Sequence, residues 1–275
     1  VTGGFKAHVD GQNVDAGGGP LSASAVYASG LMSGKEGAAQ VVIDGDLDLS
    51  GNANGLTANI GGASIEVNGG RIEMNQDNTL GFAALRASNG MISLNTKSSN
   101  GEVVSAGNKV EIRGNVVAST SAVNQADTYG TSTSIRLGLD TEDSSLEGVI
   151  YNAFGDGVKA GNLTFTGETN LWLSNGAAWK NHAYGKITQS DYGNGGNAFL
   201  GSVVTNFHGG KTKETAGHIF QLDENDLTIG NYSGFTNIYF AHNNDGSSID
   251  DYDVGDVIIQ KAAAGSSVTL ITDKT

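Results

Sequence analysis

The chain has 275 residues, 42 of them Gly and only one Pro, with no Cys and a formal charge of −14. That acidity excludes the usual electrostatic route to DNA, RNA or an anionic membrane, and the lack of cysteine excludes a disulfide scaffold and a Cys-ligated zinc site. No apolar run approaches the ~20 residues of a membrane span, and Gly without a Gly-X-Y period excludes collagen.

Phe5, Ala7 and Val9 alternate at the start, and Gly17, Gly18, Gly19 and Pro20 form a loop. Residues 27–32 read as a short strand or as a helical turn over an open end. From Gln40 a clear rhythm sets in, with β-type runs at 41–49, 56–60, 63–67, 71–74, 83–85, 91–94, 110–113 and 134–139. Gly-, Asn- or Asp-containing corners separate nearly all of them, as many short strands with tight turns require. Ile43, Ile65, Ile92, Ile112 and Ile135 hold comparable places in these runs, at spacings of 20 to 27 residues. A loose period of this kind suits a stack of coils, where strands must align but corners can lengthen. Inward positions are then Val, Ile and Leu, and outward ones Asp, Glu, Asn, Ser and Thr. The Ser-, Asn- and Thr-rich segments 97–109 and 119–133 read as elongated corners leaving the stack.

The stretch 161–179 displays the plan most plainly. Runs 163–166 and 170–173 meet at Gly167, and Ser174, Asn175 and Gly176 supply the next turn. Strand alternation puts Leu163 and Phe165 on one face, and sets Leu171 and Leu173 opposite Trp172. Residues 1–150 hold four aromatics (Phe5, Tyr27, Phe82, Tyr129) and residues 151–275 hold fifteen. Large aromatics dominate buried area, so the C-terminal part is expected to have the bulkier core. The chain is divided accordingly into coils with Gly-, Ser- and Asn-rich loops over 1–160 and a C-terminal coil stack with its cap over 161–275. The boundary near 160 marks a change of coil type.

The segment Leu171-Trp-Leu-Ser-Asn-Gly-Ala-Ala-Trp179 resembles the apolar-x-Leu-x-x-Gly-Ala-x-Trp signature of passenger domains of bacterial autotransporters. This type Va secretion family includes pertactin and the diffuse-adherence adhesins. The runs at 227–234, 237–240, 256–259 and 267–272 resemble the last coils of such passengers, so the motif-bearing likeness covers roughly residues 160–275. The resemblance implies a right-handed parallel β-helix, exported through periplasm and outer membrane to the cell surface. It also implies that the C-terminal coils act as an autochaperone region. The chain starts at Val1 without a charged-then-apolar leader, and no alternating membrane strands follow Thr272. On this likeness it is expected to be a passenger segment, continuous with an outer-membrane β-barrel that lies beyond it.

Several residues invite chemistry. Asp44, Asp46 and Asp48 alternate with Ile43, Gly45, Leu47 and Leu49. On one strand they would form a row of carboxylates spaced about 6–7 Å apart, within the range used by inverting glycosidases. A solvated outer face is the preferred reading. The acidic segments 223–226 and 245–253 carry oxygen ligands without EF-hand spacing, and are read as exposed corners rather than Ca²⁺ sites. His8, His182, His208, His218 and His242 are too scattered for a local metal motif. Gly193 to Gly196 is a flexible corner lacking the lysine of a phosphate loop. Trp172 and Trp179 suggest carbohydrate stacking, but packing is preferred for both, less firmly for Trp172.

The expected function is a non-enzymatic adhesin segment, all-β, with no catalytic, cofactor or metal residues assigned. Its partners are host or bacterial surface proteins or glycans, or another copy of itself. The alternatives are a polysaccharide lyase or glycoside hydrolase resting on the Asp44, Asp46 and Asp48 row, and a pure spacer within a longer adhesin.

Overall fold

The computed structural model describes residues 3–10, 24–30, 39–59, 61–74, 83–119, 133–152, 159–160, 163–164, 167–184, 201–222, 226–240 and 255–272. The described residues contain strands and no helix. The first three strands, β1 (Phe5–Asp10), β2 (Ser24–Ser29) and β3 (Gln40–Ile43), each belong to a different sheet. The next six repeat that order: β4 (Leu47–Asn52), β5 (Asn54–Asn59), β6 (Ser64–Val67), β7 (Gly70–Met74), β8 (Leu85–Ser88) and β9 (Met91–Leu94). An antiparallel hairpin of β10 (Thr96–Ser99) and β11 (Glu102–Ser105) then stands out of the series. The rotation resumes with β12 (Val110–Arg113), β13 (Val116–Ser119), β14 (Thr133–Leu139), β15 (Ser145–Glu147) and β16 (Ile150–Asn152). A small antiparallel pair follows, β17 (Lys159–Ala160) with β18 (Leu163–Thr164).

Beyond that pair the path changes. Strands β19 (Gly167–Leu173), β20 (Ala178–Asn181), β21 (Ser202–His208), β22 (Gly217–Gln221), β23 (Leu227–Ser233), β24 (Phe235–Phe240), β25 (Val257–Ala262) and β26 (Ser267–Thr272) alternate, among the described residues, between the third and first sheets. Among the described residues the first sheet therefore has nine strands, the second five, with β16 at one end, and the third eight. Every pairing within these three sheets is parallel. Each strand pairs with the strand of the same sheet that precedes or follows it in the chain, a pattern consistent with a solenoid-like fold.

Register turns alternation into columns. Inside the first sheet, Ala7, Leu49, Ile72, Ile112, Leu146, Trp179, Ile219, Ile238 and Leu270 are successive partners. Those from Leu49 to Ile238 are buried, and Leu270, on the terminal strand, is exposed. The third sheet contributes Ile65, Ile92 and Ile135 in one file, and Val67, Leu94, Leu137, Leu171, Phe207 and Tyr232 in another. The second sheet adds Val26, Leu56, Leu85, Val116 and Ile150, beside an alanine file of Ala28, Ala58, Ala87 and Ala118. Fully burying a Leu, Ile or Val side chain stabilises by about 1.5–3 kcal/mol, so these files dominate the energetics.

Several details depart from the sequence reading. Of the five isoleucines, only Ile65, Ile92 and Ile135 share a file; Ile43 lies in the next file of the same sheet and Ile112 in another sheet. Gly167 opens β19 instead of forming a corner, and Phe165 and Thr166 lie outside the described residues. The segment 97–109 contains most of a hairpin where an elongated corner is expected. Asn95 anchors its base: its Nδ2 donates to the carbonyls of Asn108 (2.8 Å) and Gly138 (2.9 Å), and its Oδ1 accepts from the Asn108 amide (2.9 Å). Its φ of 55° is left-handed, a conformation Asn tolerates because its side chain can bond locally.

The end of the second sheet has its own device. The Ile150 amide on β16 donates to Ser202 Oγ at 3.2 Å, Ser202 donates to Asn181 Oδ1, and Asn181 Nδ2 donates to Gln221 Oε1 at 2.7 Å. All three side chains are fully buried. A strand edge leaves backbone donors that must be satisfied, and this network satisfies one at β16, where the second sheet ends among the described residues.

Candidate binding faces

Side chains on the outer surface of the first sheet are stacked in the same register as the core. One outer file runs Lys6, Asp48, Arg71 and Glu111; its neighbour runs Glu73, Arg113, Glu147 and Lys180. Sign alternates along each file. Lys6 Nζ lies 2.6 Å from Asp48 Oδ2, and Arg71 Nη1 lies 3.5 Å from Asp48 Oδ1. Arg113 lies 3.4 Å from Glu73 and 3.3 Å from Glu147, while Lys180 and His182 approach Glu147 at 3.8 and 3.4 Å. Arg71 also pairs with Glu73 across the two files. Parallel strands bring these groups about 4.8 Å apart, so like charges in register would repel and opposite charges attract.

The electrostatics follow from these neighbours. The Lys6 ammonium, bonded to Asp48, holds that carboxyl below the usual carboxylate range, with Arg71 contributing. Glu147 foremost, with Glu73, keeps the Arg113 guanidinium firmly protonated. Burial raises the Tyr184 phenol, Glu73 and Glu147 add to that, and Arg113 opposes it. Arg71, Glu73, Glu111, Arg113, Glu147 and Lys180 line a shallow depression of about 350 Å³ on this face. Further along the same sheet the charges give way to rings. Phe220 and Tyr239 stack at 4.8 Å, and His218 meets Tyr239 edge-on at 5.6 Å.

The outer surface of the third sheet is different in kind. Arg136, Asn170, Asn206, Asn231 and Lys261 form one file, and Gly138, Trp172, His208 and Ser233 the next. The asparagines bond in series: Asn231 Nδ2 donates to Asn206 Oδ1 and Asn206 Nδ2 to Asn170 Oδ1, each at 2.9 Å. Asn206 Nδ2 also reaches Glu168 Oε1 at 3.0 Å. Trp172 and His208 stack with centroids 4.8 Å apart and planes inclined by 14°. Burial lowers the His208 imidazole pKa below its usual value.

The structure places the residues singled out by sequence as follows. Asp44, Asp46 and Asp48 do not form a row on one strand. Asp44 follows the end of β3 and accepts from Asn68, Asp46 lies in the corner, and Asp48 is on β4 within the ion ladder. Gly45 turns the chain between them, which breaks the alternation that a continuous strand would give. Trp179 is buried in the core file, its Nε1–H donating to the Gly148 carbonyl at 2.8 Å. Trp172 is half-buried on the outer face, opposite the buried Leu171 and Leu173.

His8, His182, His208 and His218 sit at separate places. They contact Ser50, Glu147, Ser233 with Trp172, and Asn237 with Tyr239 respectively. Among the described residues no group of three His, Asp or Glu side chains is placed to hold a metal ion. His242, residues 223–225, 193–196 and 245–253 lie outside the described residues, whereas Asp226 Oδ1 accepts from the Asp256 amide at 2.8 Å. The ion and amide ladders were not singled out from sequence. Their signal was the polar residue after each buried one in Arg71-Ile-Glu73 and Val110-Glu-Ile-Arg113, readable only once the runs are aligned in register.

Comparison of the chain with protein-family models, curated proteins and solved structures returns no match.

Proposed function

We propose that the chain is a surface-exposed adhesive segment: a right-handed parallel β-helix of the autotransporter-passenger kind that carries binding faces along its length. The observation that carries this reading is the ordering of outward side chains into in-register files. The charged files of the first sheet and the amide file of the third each extend across successive strands. Such faces offer shallow polar contact at a regular interval, which suits an extended or repetitive partner better than a small enclosed ligand. On the same reading, the two-sheet C-terminal stack, with Trp179, Phe207 and Tyr232 in its core, is the autochaperone-type region. Aromatic burial supports an early-folding role for it.

A polysaccharide-degrading activity finds less support, because its proposed carboxylates are divided between a corner and an ion-paired strand position. Beads coated with the 275-residue protein test the proposal. Attachment to host cells, to bacteria or to each other above a bovine albumin control is the expected result. No attachment to any of the three would leave the chain a spacer, and turnover of a neutral or uronic-acid polysaccharide would replace adhesion by catalysis.

A further inference from the structure

We infer that the charged outer surface of the first sheet docks a second copy of the chain, laid face to face with its stack of strands reversed. The inference rests on the adhesive reading and names the partner of one face. The two files of this face carry as many basic side chains (Lys6, Arg71, Arg113, Lys180) as acidic ones (Asp48, Glu73, Glu111, Glu147). The net −14 of the chain therefore resides on other residues. Two copies approaching through this face avoid much of the repulsion that their acidity imposes elsewhere.

Order along the files gives the orientation. Across β7, β12, β15 and β20 one file runs Glu73, Arg113, Glu147, Lys180. An alternating series with an even number of members is complementary to its own reverse. A two-fold axis parallel to the strands and midway between β12 and β15 reverses the strand order while keeping each file opposite itself. It sets Glu73 against Lys180 of the second copy and Arg113 against Glu147 of the second copy, and symmetry makes each contact twice.

Surface relief agrees with charge. The Arg113 and Lys180 side chains are 55% and 53% exposed, whereas Glu73 and Glu147 are 13% and 21% exposed. Each protruding cation thus meets a recessed carboxylate. A carboxylate accepts and a guanidinium donates several bonds at once, so pairs within a copy and between copies coexist. In the other file the same axis brings Arg71 over Ala178 and Glu111 over Ser145, small residues that line the depression. Asp48 comes opposite His218. A two-fold axis along the stack would instead press the protruding Glu111 against the protruding Arg113, which disfavours unreversed copies. The six strands from β4 to β22 span about 24 Å. Two files over that length cover less than the about 800 Å² per partner of a standard interface. One pair of chains therefore associates weakly, and many chains side by side multiply the contact.

Sedimentation equilibrium of the 275-residue chain, carried to millimolar concentration at physiological ionic strength, should show a monomer–dimer equilibrium. Lys180→Glu sets two carboxylates against each other across the axis, and Glu73→Lys sets two ammonium groups there. Each variant alone should dimerise about tenfold or more weakly than the parent. An equimolar mixture of the two should recover the parent's association, because each supplies the charge that the other requires. Ala178→Arg fills the space opposite Arg71, leaves the Glu73 to Lys180 file unchanged, and should abolish dimers. Circular dichroism like the parent's separates lost association from misfolding; if Glu73→Lys does not fold, Lys180→Glu and Ala178→Arg decide. The inference is overturned if the parent stays monomeric, if the folded single variants dimerise like the parent, or if the mixture associates no better than its components. Bead attachment to host cells or bacteria alongside any of those results would remove the docking of a second copy and leave the adhesive reading standing.

Discussion

Asn181 shows how much a single buried amide can control. It sits in the interior between Ser202 and Gln221, at the level where the second sheet ends. Truncation to Ala removes the bond to Gln221 Oε1 and deprives the buried Ser202 hydroxyl of its Asn181 acceptor. An unsatisfied buried polar group costs about 1–3 kcal/mol. Asn181→Ala should therefore lower the urea unfolding midpoint by an amount in that range. The double change Asn181→Leu with Gln221→Leu should cost less than the sum of the two singles, because it removes both ends of the bond. Equal and additive losses would show that the network contributes nothing as a unit.

His208 gives a second residue-scale expectation. Its pKa lies below the ordinary 6.5 because burial disfavours the imidazolium. The unfolded chain then takes up a proton that the folded one resists. This contribution to stability is intact above about pH 6.5 and is lost as pH falls from there through the lower folded value. His208→Gln should narrow the gap between unfolding midpoints measured at pH 7.5 and pH 5. An unchanged gap would mean that another group sets the acid limb.

At the scale of elements, energy and specificity separate. Each cross-strand ion pair contributes about 0.2–1 kcal/mol, less than one well-buried leucine. The ladders of the first sheet therefore matter more for register than for stability. A two-residue slip of β12 against β7 would set Glu111 opposite Glu73 in one direction, or Arg113 opposite Arg71 in the other. Glu147, which joins Arg113, Lys180 and His182, tests this. Glu147→Ala should cost up to about 1 kcal/mol. Glu147→Lys should cost more, and the difference between the two should shrink at 1 M salt, where the Debye length is about 3 Å.

The hairpin supplies the complementary case. Its tip is exposed, and its base is held by Asn95 and admitted by Gly138. Replacing residues 98–103 by two glycines should move the melting temperature by only a few degrees, since shortening an exposed loop costs little. Gly138→Ala, by contrast, forces a Cβ against the Asn95 backbone and should destabilise by about 1–3 kcal/mol. A larger loss from the tip deletion than from Gly138→Ala would contradict this anchoring. The strands themselves were legible in sequence because Leu, Ile and Val alternate with polar residues in runs such as 47–49, 71–74 and 110–113. What did not follow from alternation was register. Asp44, Asp46 and Asp48 keep a period of two through Gly45, yet the chain turns there. The corner geometry, set by partners such as Asn68 in the corner after β6 and Phe5 on β1, is invisible to local pattern.

On the scale of the whole molecule, one arrangement accounts for the core, the ladders and the proposed binding faces together. Parallel strands in fixed register carry every side-chain type into files, apolar within and polar or aromatic without. The aromatic enrichment after residue 150 is the sequence counterpart of a stack that, among the described residues, proceeds with two sheets instead of three beyond β16. Larger side chains such as Trp179 and Phe207 occupy its interior. The buried network at Ser202, Asn181 and Gln221 could not be anticipated, since its members lie about 20 residues or more apart and no local motif links them.

The most direct measurement uses spin labels along one outer file of the first sheet, where Asp48, Ser145 and Asn237 occupy the second, fifth and eighth strands in order. At about 4.8 Å per strand, the Asp48–Ser145 pair is expected near 14 Å and the Asp48–Asn237 pair near 29 Å. Backbone-to-label offsets broaden both distributions without reordering them. An Asp48–Asn237 distance equal to or shorter than the Asp48–Ser145 distance would contradict the in-register parallel stack.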